Sequence, residues 1–411
     1  LAAGLEVMLM ATSTRQWAKW GALCALFVAL LAATGCSSQA ELASPAPGEP
    51  SPIVSPLADN PTRPPSIAAQ PSRTAASPTA TSPPPPTPMP TPTPTPALRQ
   101  LTGDGCCTQP FWSPDSRWVL FIDKPDPAAP VGIWGVDVAR PAPRPELLTE
   151  RIAFYTADMD FIMDLSEDMT IVERLTAPLT GTVSERWTVQ TGGLPVYISP
   201  DRKRIAWEDR NYDEPYERRI TELWVADLDG SDARIVATLN RGGFGDWISD
   251  DLLLLSGRES LWAREQVFFT LSLTDGRKTE LARSERLRGG ALSPDNAWLA
   301  YYVAQSDDLA ENGLWLVRTD GSARHKLDRD LFGAYKWRDA DRLLIIPFRP
   351  EAVSHELWEL NINTWETRRL TDPGAIPFKI ANGDWTVSPD GRHVSFVESR
   401  DRNIWLLTLT D

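Results

Sequence analysis

The chain has 411 residues, 42% of them hydrophobic, enough for one large domain or two ordinary ones. Its formal net charge is −14, and in residues 1–98 four basic side chains cancel four acidic ones, so the whole deficit falls on the C-terminal part. A domain that acidic repels phosphate backbones, which argues against nucleic acid as a partner.

In chain order, Arg15 and Lys19 precede an apolar run, Trp20 to Ala33 (WGALCALFVALLAA), too short for a comfortable membrane span. The run ends in Ala33-Thr34-Gly35-Cys36, small residues leading to a cysteine. This resembles a bacterial lipoprotein signal, which implies that residues 1–35 are removed and that Cys36 is lipidated. The protein would then be held on a membrane outside the cytoplasm, in the cell envelope or periplasm. An ordinary secretory signal cleaved nearby is the alternative.

From Cys36 to Ala97 the composition shifts to Pro, Ser, Thr and Ala, with 19 of the 37 prolines and the run SPPPPTPMPTPTPTP. Such a segment lacks the apolar side chains to offset its ordering entropy, so 36–97 is expected to be a disordered linker. Alternating Thr-Pro favours polyproline II, and sixty residues of it would span on the order of 100 Å or more.

Residues 98–411 repeat. Ser-Pro-Asp stands intact at Ser113, Ser199, Ser293 and Ser388, with weaker versions at Leu165-Ser166-Glu167-Asp168, Ile248-Ser249-Asp250-Asp251 and Trp337-Arg338-Asp339-Ala340-Asp341. A hydrophobic run follows each. A second marker, an aromatic in an alternating strand, follows in turn: Trp134, Trp187, Trp224, Phe269, Trp315, Trp358 and Trp405, 37 to 53 residues apart. Two markers keeping one count and order make seven units.

After the aromatic strand, Asp229-Gly230, Asp275-Gly276 and Asp320-Gly321 supply hairpin signals, since Gly accepts the positive φ of tight turns. Four short strands per unit is the blade of a β-propeller. The fold expected is all-β: a seven-bladed propeller, or a six-bladed one, of four-stranded antiparallel blades. The last unit lacks a fourth strand, and Leu98-Arg99-Gln100-Leu101-Thr102 matches the missing one, so an N-terminal strand should close the ring. The second unit, where TVQTGG runs straight into the next unit, is expected to lack its outer strand.

Ser-Pro-Asp itself reads as a turn: Pro fixes φ near −65° and Asp bonds nearby backbone. A nucleophilic serine would need a base, and the three histidines, His325, His355 and His393, fall in different parts of different units. The units WSPDSRWVLFI…IWGVDV, ISPDRKRIAW…LWVADLDGSDARIV and VSPDGRHVSF…IWLLTL resemble the TolB-type, or PD40, propeller repeat. That resemblance covers about residues 98–411 and implies a fold rather than a chemistry, since such propellers serve protein binding, peptidase accessory domains and lyases.

Asp227-Leu228-Asp229-Gly230-Ser231-Asp232 has the start of a calcium loop but not its final glutamate, so a hairpin is favoured. The adjacent Cys106 and Cys107 are the only thiols past the signal and Cys36. Outside the cytoplasm an exposed pair should oxidise to a vicinal disulfide that stiffens the loop, with two buried thiols, or a redox switch or ligand lid, as the alternatives. No G-x-S-x-G follows, and no cofactor or metal is expected. Binding remains the favoured role. The loops joining second to third and fourth to first strands gather on one face of a propeller, and Tyr212, Tyr216, Trp262 and Phe378 are its candidate partner anchors. The reading is of a monomeric, non-catalytic, lipid-anchored propeller binding an envelope protein or glycan. A hydrolase or lyase acting on an extracellular polymer is the alternative.

Overall fold

The structure, a computed structural model, describes residues 97–107, 109–126 and 128–410. The signal, Cys36 and the linker up to residue 96 lie outside the described residues.

The chain is built of short strands. The first, β1 (Ala97–Gln100), precedes the first repeat unit of β2 (Phe111–Trp112), β3 (Trp118–Asp123), β4 (Gly132–Asp137) and β5 (Pro145–Thr149). A second unit follows: β6 (Phe154–Tyr155), β7 (Phe161–Leu165), β8 (Thr170–Leu175) and β9 (Val183–Val189). Next come β10 (Tyr197–Ile198), β11 (Arg204–Arg210), β12 (Ile220–Asp227), β13 (Arg234–Ser249), β14 (Leu252–Arg258), β15 (Gln266–Ser272) and β16 (Lys278–Ser284). The following unit holds β17 (Leu287–Leu292), β18 (Trp298–Val303), β19 (Gly313–Arg318) and β20 (Arg324–Lys326). After it stand β21 (Gly333–Trp337), β22 (Arg342–Pro347), β23 (Trp358–Asn361) and β24 (Thr367–Arg369), then β25 (Ile380–Val387), β26 (His393–Glu398) and β27 (Ile404–Thr408).

All pairing is antiparallel between sequence neighbours, except that β1 pairs with β27, Leu98 opposite Leu407. The strand supplied from the N-terminal side therefore completes the last sheet. Successive sheets pack face to face. Val119 and Phe121 of β3 share a core with Val397 of β26 and Leu406 of β27, joining the first unit to the last. Each second strand is covered on both faces, as with Leu343, Leu344 and Ile345 of β22, all fully buried. Burying one such side chain contributes about 1.5–3 kcal/mol.

The expected count of seven separate blades, or six, is not what forms. Five sheets are four-stranded blades, and the sixth is one continuous seven-stranded sheet, β10 to β16. Its cause is β13, which does not stop where the third unit should end. Asn240 pairs with Ile220 of β12 on one side and Arg258 of β14 on the other, so outer and inner strands are one strand. Although Asn and Gly-Gly are turn residues, Asn240-Arg241-Gly242-Gly243 stays within the strand. The ladder absorbs the bend as register shifts between Asn240 and Gly243, and a Cβ at Gly242 would sit 2.0 Å from the Ser256 carbonyl oxygen.

The second unit is also complete, against expectation. Its outer strand is β9, which contains Trp187, so that tryptophan lies in the fourth strand and Val172 of β8 takes the third-strand place. The turn between its first two strands is Thr156-Ala157-Asp158, not Leu165-Ser166-Glu167-Asp168. Thr156 Oγ1 donates to Asp158 at 2.6 Å, and Thr156 N to the Phe161 carbonyl at 3.1 Å.

Candidate binding face

The repeated serines are part of the scaffold. In each intact turn the buried serine hydroxyl donates to the aspartate two residues on (Ser113 to Asp115 2.5 Å, Ser199 to Asp201 2.7 Å, Ser293 to Asp295 2.5 Å, Ser388 to Asp390 2.6 Å). The same oxygen accepts from the backbone N–H five residues on, at 2.9–3.0 Å. With both roles filled by the turn itself, and His393 reaching Ser388 through its backbone N–H and not its ring, these hydroxyls serve the turns. The turns also touch across unit boundaries: Asp390 N donates to Ser116 Oγ at 3.0 Å, Asp201 N to Asp250 at 2.9 Å and Asn296 Nδ2 to the Ile248 carbonyl at 3.0 Å.

At the second turn, Arg202 reaches Asp158 and Asp160, each at 2.6 Å. One guanidinium serves two carboxylates. Lost hydration and the neighbouring Asp158 push Asp160 up to about 6, while Asp158 is held below its usual range by hydrogen bonds from Asp160 and Thr156 and by Arg202. The raised value means the folded protein binds the proton more tightly. The stability this brings is complete below the unfolded value near 4 and is lost as pH rises through about 6. Carboxyl-carbon NMR should show one group of the pair titrating near pH 6, and Asp158→Asn should bring Asp160 down towards ordinary carboxylates. An Asp160 that titrates below pH 4.5 in the parent protein would contradict this account.

Asp227 to Asp232 forms a hairpin. Asp229 accepts from Ser231 N and Oγ at 2.9 and 2.6 Å, and Gly230 adopts φ 87°. The histidines stay apart, each against an aromatic ring: His393 on Trp112 at 6.0 Å, His325 on Trp365 at 4.0 Å and His355 on Phe378 at 6.0 Å. Burial holds His355 and His393 below the ordinary histidine value. Among the described residues, no three His, Cys, Asp or Glu side chains gather as metal ligands.

On the opposite face, where the longer loops gather, Cys106 and Cys107 are joined in a disulfide. Cys107, at φ 80°, is buried against Leu101, Trp112 and Ala381, at the junction of first and last units. Gly105 N donates to Asn403 at 3.0 Å, which pins the loop from the other side. The pair is a brace within the core, and neither sulfur adjoins a base.

The four aromatics sort differently. Trp262 is 79% exposed and Tyr216 50%, while Tyr212 is half-buried between Arg210 and Arg219, at 5.7 and 5.3 Å from the ring. Phe378 is not on the face. It is 2% exposed, packed on Phe396 at 5.3 Å, because its loop tucks inward over the last sheet. Beside that loop lies an open groove of about 870 Å³ between residues 347–356 and 373–377, with Arg400 at its edge.

Sequence reasoning missed the arginines beside Tyr216. The guanidinium of Arg241 lies 4.7 Å from the Tyr216 ring, and Arg258 Nη1 donates to the Ala263 carbonyl at 2.7 Å, next to Trp262. The one sequence signal was Arg241-Gly242-Gly243, a cation before a bend. Along the innermost strands, Asp246 is accessible to solvent yet closely surrounded by protein, and the hydration it loses raises its carboxyl pKa. Burial likewise raises Asp384 and lowers Lys336, and no salt bridge joins the three.

No family model matches the chain, and no curated protein matches it by sequence. Solved structures share the fold. An oligogalacturonate lyase in complex with manganese aligns at 13% identity over 77% of this chain and 91% of its own, with a TM-score of 0.50. An oligogalacturonate lyase from Vibrio parahaemolyticus aligns at 10% over 76% and 97%, also at 0.50. A protein identified as TolB from Agrobacterium tumefaciens aligns at 14% over 74% and 90%, at 0.37. At such identities the likeness extends to the β-propeller fold and no further.

Proposed function

We propose that this chain is a non-catalytic binding scaffold of the cell envelope, held on a membrane through lipidated Cys36 and engaging a protein or glycan partner with its loop face. The observation that carries the reading is Trp262, 79% exposed, in the loop adjoining that of Tyr216, 50% exposed. Large aromatics left in water beside arginine are the side chains that dominate binding energy at interfaces. The repeated serines are bound into turns and the histidines are dispersed, which supports binding over acyl transfer.

Capture from envelope extract on the immobilised full chain tests it. A partner retained by the parent protein should be lost at least tenfold with Trp262→Ala, and Cys36→Ala should release the protein from membranes. Equal retention by Trp262→Ala would remove this face from the reading, and membrane retention of Cys36→Ala would remove the anchor.

A second reading, cleavage of an extracellular polymer, draws support from Asp246 and Asp384, whose raised carboxyls suit a general acid. The two structural relatives named as oligogalacturonate lyases lend it fold-level analogy only. Polymer cleavage by the purified domain that Asp246→Asn abolishes, with no partner captured, would favour it over binding.

A further inference from the structure

We propose that Arg241 and Arg258, framed by Tyr216 and Trp262, form a carboxylate-binding subsite for an acidic peptide segment of the partner. The proposal rests on the binding reading above and gives its chemistry.

The first observation is an unanswered charge. In a chain of net charge −14, neither arginine forms a salt bridge with any described residue. The nearby acids are engaged elsewhere: Glu259 and Glu265 bind Arg283 at 2.7 and 3.4 Å, and Glu285 binds Arg264 at 3.2 Å. Glu217, on the loop of Tyr216, makes no ion pair with either arginine. The second observation is independent. The Nε atoms of Arg241 and Arg258 are both buried without a hydrogen-bond acceptor. A buried donor left unpaired is destabilising, and native structures hold few of them.

Both side chains are half-buried, so their stems are enclosed while part of each remains open to solvent. Arg258 Nη1 has the Ala263 carbonyl and Arg241 the Tyr216 ring, but neither guanidinium has a carboxylate, so the open part of each is left for an anion from solvent. Burial, with the adjacent Arg241 and Arg288, lowers the Arg258 guanidinium pKa against the opposing Tyr216 and Glu285, and a bound anion would offset the lowering. The backbone holds the arrangement in place. Arg241 sits in the left-handed region at φ 50°, and its N–H donates to the Arg219 carbonyl at 2.8 Å. Residues kept in such conformations cluster at binding sites.

A planar guanidinium matches a carboxylate fork, and Trp, Tyr and Arg together are the side chains enriched at protein-interface hot spots. The composition therefore favours a peptide bearing Asp or Glu. Charge complementarity points the same way, since this cationic spot is set in an otherwise acidic domain.

Binding of a fluorescein-labelled oligo-glutamate peptide to the full chain, followed by anisotropy, tests the proposal. The expected result is saturable binding, weakened at least tenfold in Arg241→Gln and in Arg258→Gln. Arg277→Gln, on the far turn face, should leave it unchanged. Arg241→Lys should also weaken it, since a point charge lacks the fork. Near-UV circular dichroism verifies each fold, and if Arg241→Gln unfolds, the Arg258→Gln result alone decides. No peptide binding, or binding indifferent to the arginines, overturns the proposal, and so does binding of a carboxylated polysaccharide in place of the peptide. Trp262-dependent capture from extract without oligo-glutamate binding overturns the subsite and leaves the scaffold reading standing. Failure of both overturns both.

Discussion

Replacing Arg338 by alanine should cost about 3–5 kcal/mol of stability, the scale for breaking a buried ion pair. Arg338 and Glu359 are almost wholly enclosed, with side-chain exposures of 1% and 5%, and meet at 2.5 Å. Arg338 Nε also donates to the Gly391 carbonyl at 2.8 Å, tying the penultimate sheet to the turn of the last. Truncation leaves the Glu359 carboxylate with Arg368 alone, at 2.8 Å, and orphans the Gly391 carbonyl. The apolar pair Arg338→Met with Glu359→Leu should recover most of the loss, because it removes both desolvated charges. Urea unfolding measures both. A loss under about 1 kcal/mol for Arg338→Ala, or a double variant worse than the single, would refute the assignment.

The second large effect is removal of the closing strand. Deleting residues 97–102 takes four ladder pairs from β27, from Ala97 opposite Thr408 to Gln100 opposite Trp405. It also removes Leu101, 3% exposed in the core shared by first and last units, and Thr102, whose hydroxyl accepts from Ile404 N at 2.9 Å. Arg99, which reaches the carbonyls of Val138 and Arg140 on the first unit, goes too. The summed loss should exceed about 5 kcal/mol, comparable with the whole stability of an ordinary domain. It would also leave β27 as an open edge that templates aggregation. Thermal unfolding with light scattering should show early, concentration-dependent aggregation. A soluble truncated protein with an unchanged Tm would show that the ring does not depend on this strand.

How much of this the sequence carries depends on whether a feature is local. Ser-Pro-Asp, Asp-Gly and the alternating aromatics are local devices, so strand order, hairpins and the closing role of residues 98–102 were legible. The second unit misled because its turn is Thr-Ala-Asp, chemically equivalent in bonding yet unlike the repeat in letters, while a decoy Ser-Glu-Asp stood one strand later. The count of separate blades misled because Asn240 and Gly242-Gly243 read locally as a turn, whereas pairing with strands on both sides keeps them within one strand. Phe378 was placed on the surface from its position in a loop, and loop residues that tuck inward give no local sign. Arg241, Arg258 and Tyr216 meet only after three strands have paired, which no periodicity records.

The continuity of β13 has a mechanical consequence. A partner held at Arg241 would pull at the bend of one sixteen-residue strand, bonded to β12 along one half and to β14 along the other. Tension along such a strand loads its ladders in shear, many hydrogen bonds at once, instead of peeling them singly. A chain loaded there would then yield elsewhere first, at the seams where neighbouring sheets are joined by side-chain packing and scattered hydrogen bonds in place of a continuous ladder.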